Sequence, residues 1–134
     1  MESSLTQKLQ EFHSTATQIP GGVSTKSVSF RFKLIYEEFK ELADALNNLI
    51  KPPNNVEAED PETLVLKEQV LKELIDCVYV LVGTCVDFKW DFDEAFKRVH
   101  ESNMSKLNGK IEKHKDGKVK KSKTYKPCDL SECL

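Results

Sequence analysis

The sequence predicts an all-α fold, a four-helix bundle carrying a basic C-terminal tail that holds the signal for a short hairpin. Three observations carry this reading. Apolar residues recur at alternating spacings of four and three over long stretches, as in Ile35, Phe39, Leu42, Leu46 and Leu49. Clusters of Pro, Gly and Asn in "QIPGGVSTKS" and "KPPNNVEAEDPET" break the chain where helices must end. The 134 residues are 39% hydrophobic and 31% charged, which suits one small helical domain better than a disordered chain.

The elements follow in order. Leu5, Leu9, Phe12 and Ala16 give a weak helical pattern over Leu5 to Thr17, ended by Pro20, Gly21 and Gly22. A second helix is expected from about Lys26 to Ile50, stopped by "KPPNN". A third opens at Pro61, a residue tolerated in the first helical position, with Asp60 as its cap, and runs to about Val86. A fourth begins near Asp91 or Asp93 and reaches about Leu107. The helical body thus spans about residues 1–107 of a single domain and the tail about 108–134, with Asp116-Gly117 as the turn signal.

Composition excludes several classes. No apolar stretch approaches the roughly 20 residues that span a bilayer, so no membrane partner is expected. The start "MESSLTQKLQEFH" lacks the basic and apolar regions of a secretory signal, which points to the cytoplasm. The 4 cysteines form no C-x-x-C pair and have no histidine at zinc-finger spacing, so they read as reduced thiols. Charge is divided unevenly: residues 1–105 carry 11 basic and 18 acidic side chains, and residues 106–134 carry 9 basic and 4 acidic.

The chemistry is suggested by misplaced carboxylates. Between Val70 and Val82 the only polar side chains are Lys72, Glu73 and Asp76, in a helix without an obvious wet face. A buried, unpaired carboxylate is costly, so these acids need a partner. In the second helix a rotation of ~100° per residue puts Lys33, Glu37, Lys40, Asp44 and Asn47 on the solvent side. Glu38 falls instead beside Leu34, Leu42, Ala45 and Leu49, and Glu41 borders the same stripe. Each helix therefore presents an acidic pair at i and i+3, on one face. Antiparallel packing would bring the pairs together, and a divalent cation would relieve their repulsion. Oxygen-only ligation by Glu38, Glu41, Glu73 and Asp76 selects a hard ion, Mg²⁺ with Mn²⁺ as substitute.

The fourth helix puts Phe92, Ala95, Phe96 and Val99 on its expected inner face, and the same stripe continues to Asn103 and Lys106. Two polar residues extending an apolar stripe suit a phosphorylated ligand, with Lys106 as a point charge and Asn103 for sugar or phosphate oxygens. Lys115, Lys118, Lys120, Lys121 and Lys123 would add positive potential. A metal site flanked by lysines fits a nucleoside triphosphate, cleaved by water with a cluster carboxylate as general base. No G-x-x-x-x-G-K-[ST] loop is present, which excludes a P-loop enzyme.

Four stretches, "YEEFKEL", "KELIDCVYVLVGT", "AFKRVHESNMSKL" and "DGKVKKSKTYKPCDL", resemble the MazG-like pyrophosphohydrolases, all-α nucleoside triphosphate pyrophosphatases related to phosphoribosyl-ATP pyrophosphohydrolase. The resemblance implies Mg²⁺-dependent hydrolysis of a nucleoside triphosphate to its monophosphate and pyrophosphate. It makes Glu38, Glu41, Glu73 and Asp76 the metal-binding and catalytic acids. Asn103 and Lys106 match the family's polar pair, and Lys118, Lys123 and Tyr125 in the tail are expected to complete the substrate contacts. His13, in "EFH", is expected to approach the base. The resemblance also implies a homodimer or a dimer of dimers. The chain departs from the family in its long gap between Glu41 and Glu73 and in "DFKWDFD", where Trp90 reads as space-filling.

Other classes fit less well. A di-iron protein would need Glu-x-x-His on two helices, and His13, His100 and His114 do not supply it. A non-catalytic metal-binding or nucleic-acid module is the main alternative. Its tail has 9 lysines between residues 106 and 126, but only Tyr125 as an aromatic, and the acidic body would repel nucleic acid.

Overall fold

The computed structural model describes residues 2–108 and 110–134. Among these, four α-helices and no extended strand are found: α1 (Leu5–Thr15), α2 (Thr25–Ile50), α3 (Pro61–Phe88) and α4 (Phe92–Ser105), with one 3₁₀ turn at Ser131–Cys133. The expected all-α class holds, and the helix boundaries lie within about two residues of those read from the sequence.

The caps explain why the helices begin where they do. Ser4 accepts from the backbone N–H of Gln7, whose side chain accepts in return from Ser4 N. Ser24 and Ser27 make the same reciprocal pair at α2. Asp60 accepts from both the backbone and the hydroxyl of Thr63, ahead of Pro61 in the first turn of α3. Asp91 accepts from Glu94 N and starts α4. α3 ends at Lys89, which adopts the left-handed conformation with φ of 63°.

The chain forms two compact units, Met1–Lys89 and Trp90–Leu134. In the first, α3 packs against both α2 and α1. Arg31 meets Asp87 and the carbonyl of Glu38 meets Cys77, so early residues of α2 face late residues of α3 and the two helices run antiparallel. The covered side of α3 runs Thr63, Leu66, Val70, Glu73, Cys77, Val80, Gly83 and Val86, a three–four spacing with a carboxylate at its centre.

The covered side of α2 differs from the expected stripe. It is centred on Arg31, Leu34, Glu38, Leu42, Ala45 and Leu49, while Phe39 and Leu46 are 65% and 42% exposed. Those two lie one step round the helix from Glu38 and Ala45, on an apolar flank that α3 does not reach. The solvent-facing arc of Lys33, Glu37, Lys40, Asp44 and Asn47 is exposed as expected.

A buried polar junction ties α1, α2 and α3 together. Arg31 Nε donates to Asp87 Oδ2 at 3.2 Å, and Gly21 N donates to Asp87 Oδ1. Arg31 Nη2 lies 3.5 Å from His13 Nε2. A guanidinium can only donate, so Nε2 is the acceptor and the imidazole is neutral with its proton on Nδ1. Burial above all, and then the charge of Arg31, push the His13 pKa below its ordinary value, against a smaller opposing pull from Asp87. Gly83 makes room for this ring: a Cβ there would stand 3.1 Å from His13 Nε2 and 3.4 Å from Leu9 Cδ1.

The second unit folds α4 against its own tail. Arg98 bonds Glu94, Glu132 and the carbonyl of Asp129, Ser102 Oγ donates to the carbonyl of Lys126, and Asp91 N donates to the carbonyl of Cys133. The side of α4 used in this way is Ala95, Arg98 and Ser102, and the expected inner residues Phe96 and Val99 are 62% and 37% exposed. The tail covers the side of α4 that carries Arg98 and Ser102, and Phe96 and Val99 lie off that side. The tail's turn signal gives a single antiparallel bridge between Lys113 and Val119 around Gly117, whose φ is +89°. No helix among the described residues is long and apolar enough to cross a membrane.

Two measurements test the junction. Because the folded His13 pKa is depressed, the unfolded state binds more protons, and stability should fall as pH drops through the ordinary value of 6.5. Thermal melts between pH 5 and 8 should show this loss in the wild type and a flatter profile in His13→Gln. Gly83→Val should cost about 1–3 kcal/mol by overpacking against His13 and Leu9, read by urea denaturation.

Candidate metal centre

Glu38 comes from the covered side of α2, and Glu73 and Asp76 from facing turns of α3. One carboxylate oxygen from each lies within 4.8 Å of the others. Antiparallel pairing produces this meeting, because residue 38 of α2 is held opposite residue 77 of α3 by the Cys77 thiol, which donates to the Glu38 carbonyl at 3.5 Å. Glu73 is buried, with 4% of its surface exposed, while Glu38 and Asp76 are half-buried at the rim.

The oxygens of the cluster are unequally served. Gln69 Nε2 donates to Glu73 Oε1, and Lys72 Nζ stands 2.7 Å from Asp76 Oδ2 and 3.7 Å from Glu73 Oε1. Glu38 Oε2 and Glu73 Oε2 are buried and have no hydrogen-bond partner in the chain. Burial first, then the negative charges of Glu41 and Asp76, push the Glu38 carboxyl above the usual range. The same burial raises the pKa of the adjacent Cys77 thiol, with the negative charge of Glu38 a further cause.

Two orphaned buried oxygens in an oxygen-only donor set fit a hard divalent cation, which takes carboxylate ligands and neutralises their repulsion. Glu38, Glu73 and Asp76 would hold it. Glu41, expected as a fourth ligand, is exposed and lies outside the set of three, although its charge is felt by Glu38. Glu37 is exposed.

The expected substrate residues are distributed as follows. His13 sits in the junction of the first unit, against Arg31. Asn103 is exposed rather than buried, since the three–four stripe it was assigned to is not the side of α4 that the tail covers. Lys106 lies over the Tyr125 ring at 5.6 Å, with Lys121 also over that ring at 4.8 Å. Lys123 lines a cavity of about 370 Å³ with Lys110, Lys120 and Lys121, and Lys118 is exposed beside the turn. Sequence reasoning missed Gln69 and Lys72, both one helical turn from the acid they serve, a spacing that is itself a signal. It also missed the Arg31–Asp87 pair, foreshadowed by an arginine inside the apolar run "SFRFKLI".

One buried carboxylate and two half-buried ones thus converge from two long antiparallel helices of an all-α chain. The chain belongs to the phosphoribosyl-ATP pyrophosphohydrolase family, whose model matches residues 7–103, well over half its length. This family falls within the MazG-like all-α NTP pyrophosphatase superfamily, so the protein is a pyrophosphohydrolase. The matched stretch includes α2, α3 and Asn103 and ends before Lys106, Lys118, Lys123 and Tyr125. Curated proteins offer no match to this chain.

Removing the charge of Glu38 should relieve strain in the metal-free cluster. A carboxyl with a raised folded pKa loses stability as pH rises through its ordinary value of 4.5 toward the folded one. Glu38→Gln in EDTA should therefore melt about 2–5 °C above wild type at pH 8, with the difference vanishing below about pH 4.5.

Proposed function

We propose that this protein hydrolyses a nucleoside triphosphate to its monophosphate and pyrophosphate, with Mg²⁺ or Mn²⁺ held by Glu38, Glu73 and Asp76. The observation that carries the reading is the pair of buried oxygens, Glu38 Oε2 and Glu73 Oε2, without a partner at the meeting point of α2 and α3. A hard divalent cation supplies Lewis acidity to phosphate oxygens and neutralises charge on the leaving pyrophosphate.

The chain's own residues have distinct tasks. Glu73, fixed by Gln69 and enclosed by α2 and α3, is a rigid ligand that cannot turn to solvent. Glu38 and Asp76 at the rim can reach an incoming water, and one of them would take a proton from it as general base. The water attacks phosphorus, the anhydride bond breaks, and pyrophosphate leaves. In the second unit Lys106, Lys118 and Lys123 offer positive charge of the kind that suits phosphates, and Asn103 and Tyr125 offer groups suited to a sugar or base; in the first unit His13 is proposed for the base.

The triphosphate is common to ordinary nucleotides and to phosphoribosyl-ATP. A nucleoside triphosphate is preferred here because the site as built needs only the triphosphate and a metal, and the four motifs read from the sequence match MazG-like enzymes. A second copy of the chain is the proposed partner. Phe32, Tyr36 and Phe39 on α2, and Leu71, Ile75 and Val78 on α3, are exposed large apolar residues of the kind that a protein–protein contact covers. The reducing cytoplasm is the proposed compartment, a reading that the free thiols at Cys77, Cys85, Cys128 and Cys133 support.

A pyrophosphate-release assay across the ribo- and deoxynucleoside triphosphates and phosphoribosyl-ATP tests the proposal. Release should require Mg²⁺ or Mn²⁺, stop in EDTA, and yield the monophosphate. Glu38→Gln and Asp76→Asn should lower kcat at least about a hundredfold, whereas Glu37→Gln should stay within about twofold of wild type. Hydrolysis of phosphoribosyl-ATP alone would replace the substrate and keep the site. Metal-independent release would reject the mechanism.

A further inference from the structure

Lys72 is the only cation, among the described residues, that pairs with any acid of the cluster. Its ammonium is 2.7 Å from Asp76 Oδ2 and 3.7 Å from Glu73 Oε1, while its side chain is 62% exposed. It thus approaches from the solvent side and serves the outer oxygens. The inner ones, Glu38 Oε2 and Glu73 Oε2, are left without a partner. A divalent ion that used all three carboxylates would need Asp76, and would come within a few ångströms of the ammonium. Two cations at that distance repel, and a lysine is a flexible point charge that can leave by rotating its stem.

Resting on the metal-site reading above, we propose that Lys72 is a built-in counter-ion. It holds the carboxylates together in the metal-free protein, surrenders Asp76 when a divalent cation enters, and so sets how tightly the cation binds. The arrangement follows from one turn of helix: Lys72 and Asp76 are four residues apart, so the lysine is tethered where its ammonium can sit on the cluster or swing into water without any backbone change. Its role is positioning, exerted through Asp76 and Glu73.

The proposal has two consequences of opposite sign. Neutralising Lys72 removes a competitor, so metal affinity rises. It also removes the one positive charge paired with the cluster among the described residues, so the metal-free protein weakens. A lysine that merely stabilised α3 by an ion pair on its surface would leave affinity unchanged and would matter equally with and without metal.

The test is Mn²⁺ binding to the full chain by isothermal calorimetry, without nucleotide, beside thermal melts in EDTA and in saturating Mn²⁺. Lys72→Met keeps the length of the side chain and loses the charge, and should bind Mn²⁺ about three- to tenfold more tightly than wild type. Its melting temperature should fall in EDTA and recover to the wild-type value in Mn²⁺. Lys72→Arg keeps the charge and should remain near wild type in affinity. Equal Mn²⁺ affinity in wild type and Lys72→Met, or an equal loss of stability with and without Mn²⁺, would overturn the counter-ion role and leave the metal site standing. Failure of the wild type to bind Mn²⁺ at all would remove both the site and the role built on it.

Discussion

Glu73 is 4% exposed in a helix whose covered side otherwise reads Thr, Leu, Val, Cys, Val, Gly and Val. An ionised carboxylate in such a place costs several kcal/mol unless it is hydrogen-bonded and paired. Much of the first unit can be understood as an answer to that constraint. Gln69 takes one oxygen, Lys72 approaches the same one from outside, and the other is buried without a partner. A chain selected for stability alone would place leucine at position 73. Keeping an acid there makes sense when the missing partner is a ligand.

The contact that presents these acids is secured some way along the same helix pair. Arg31 and Asp87 fix the opposite end of the α2–α3 register, and His13 and Gly83 bring α1 onto the same spot. A one-residue slip of either helix would turn its carboxylates by ~100° and separate them, so the buried ion pair matters for specificity of packing more than for net stability. Nothing comparable governs the second unit, where Arg98 and Ser102 hold α4 to its tail through polar bonds. Its lysines provide charge rather than a rigid frame.

How much of this was legible in the sequence depends on which physical signal each feature leaves. Helix positions were readable because punctuation and caps are local: Pro20 and Gly22, Pro52 and Pro53, Asp60 before Pro61, and Asp91 each act within a turn of where they stand. The inward set of Glu38 and the outward set of Glu37 were readable from a rotation of ~100° per residue. The side of an apolar helix that its own chain covers was not. Phe39, Leu46, Phe96 and Val99 lie on apolar flanks that periodicity alone cannot distinguish from the buried side, and long-range packing makes that choice. Glu41, grouped with Glu38 by spacing, is exposed one turn further along α2, and its charge still bears on the Glu38 carboxyl. The Arg31–Asp87 pair spans residues far apart in sequence, which no local pattern reports.

A divalent cation is the proposed partner of Glu38 and Glu73. The most direct measurement is the anomalous diffraction of the crystallised protein soaked in Mn²⁺. One strong peak is expected between α2 and α3, with oxygens of Glu38, Glu73 and Asp76 at about 2.0–2.2 Å from it and the Lys72 ammonium withdrawn from Asp76. No peak there, with Lys72 still seated on Asp76 and Glu38 turned to solvent, would contradict it and leave the cluster an acidic rim without a metal.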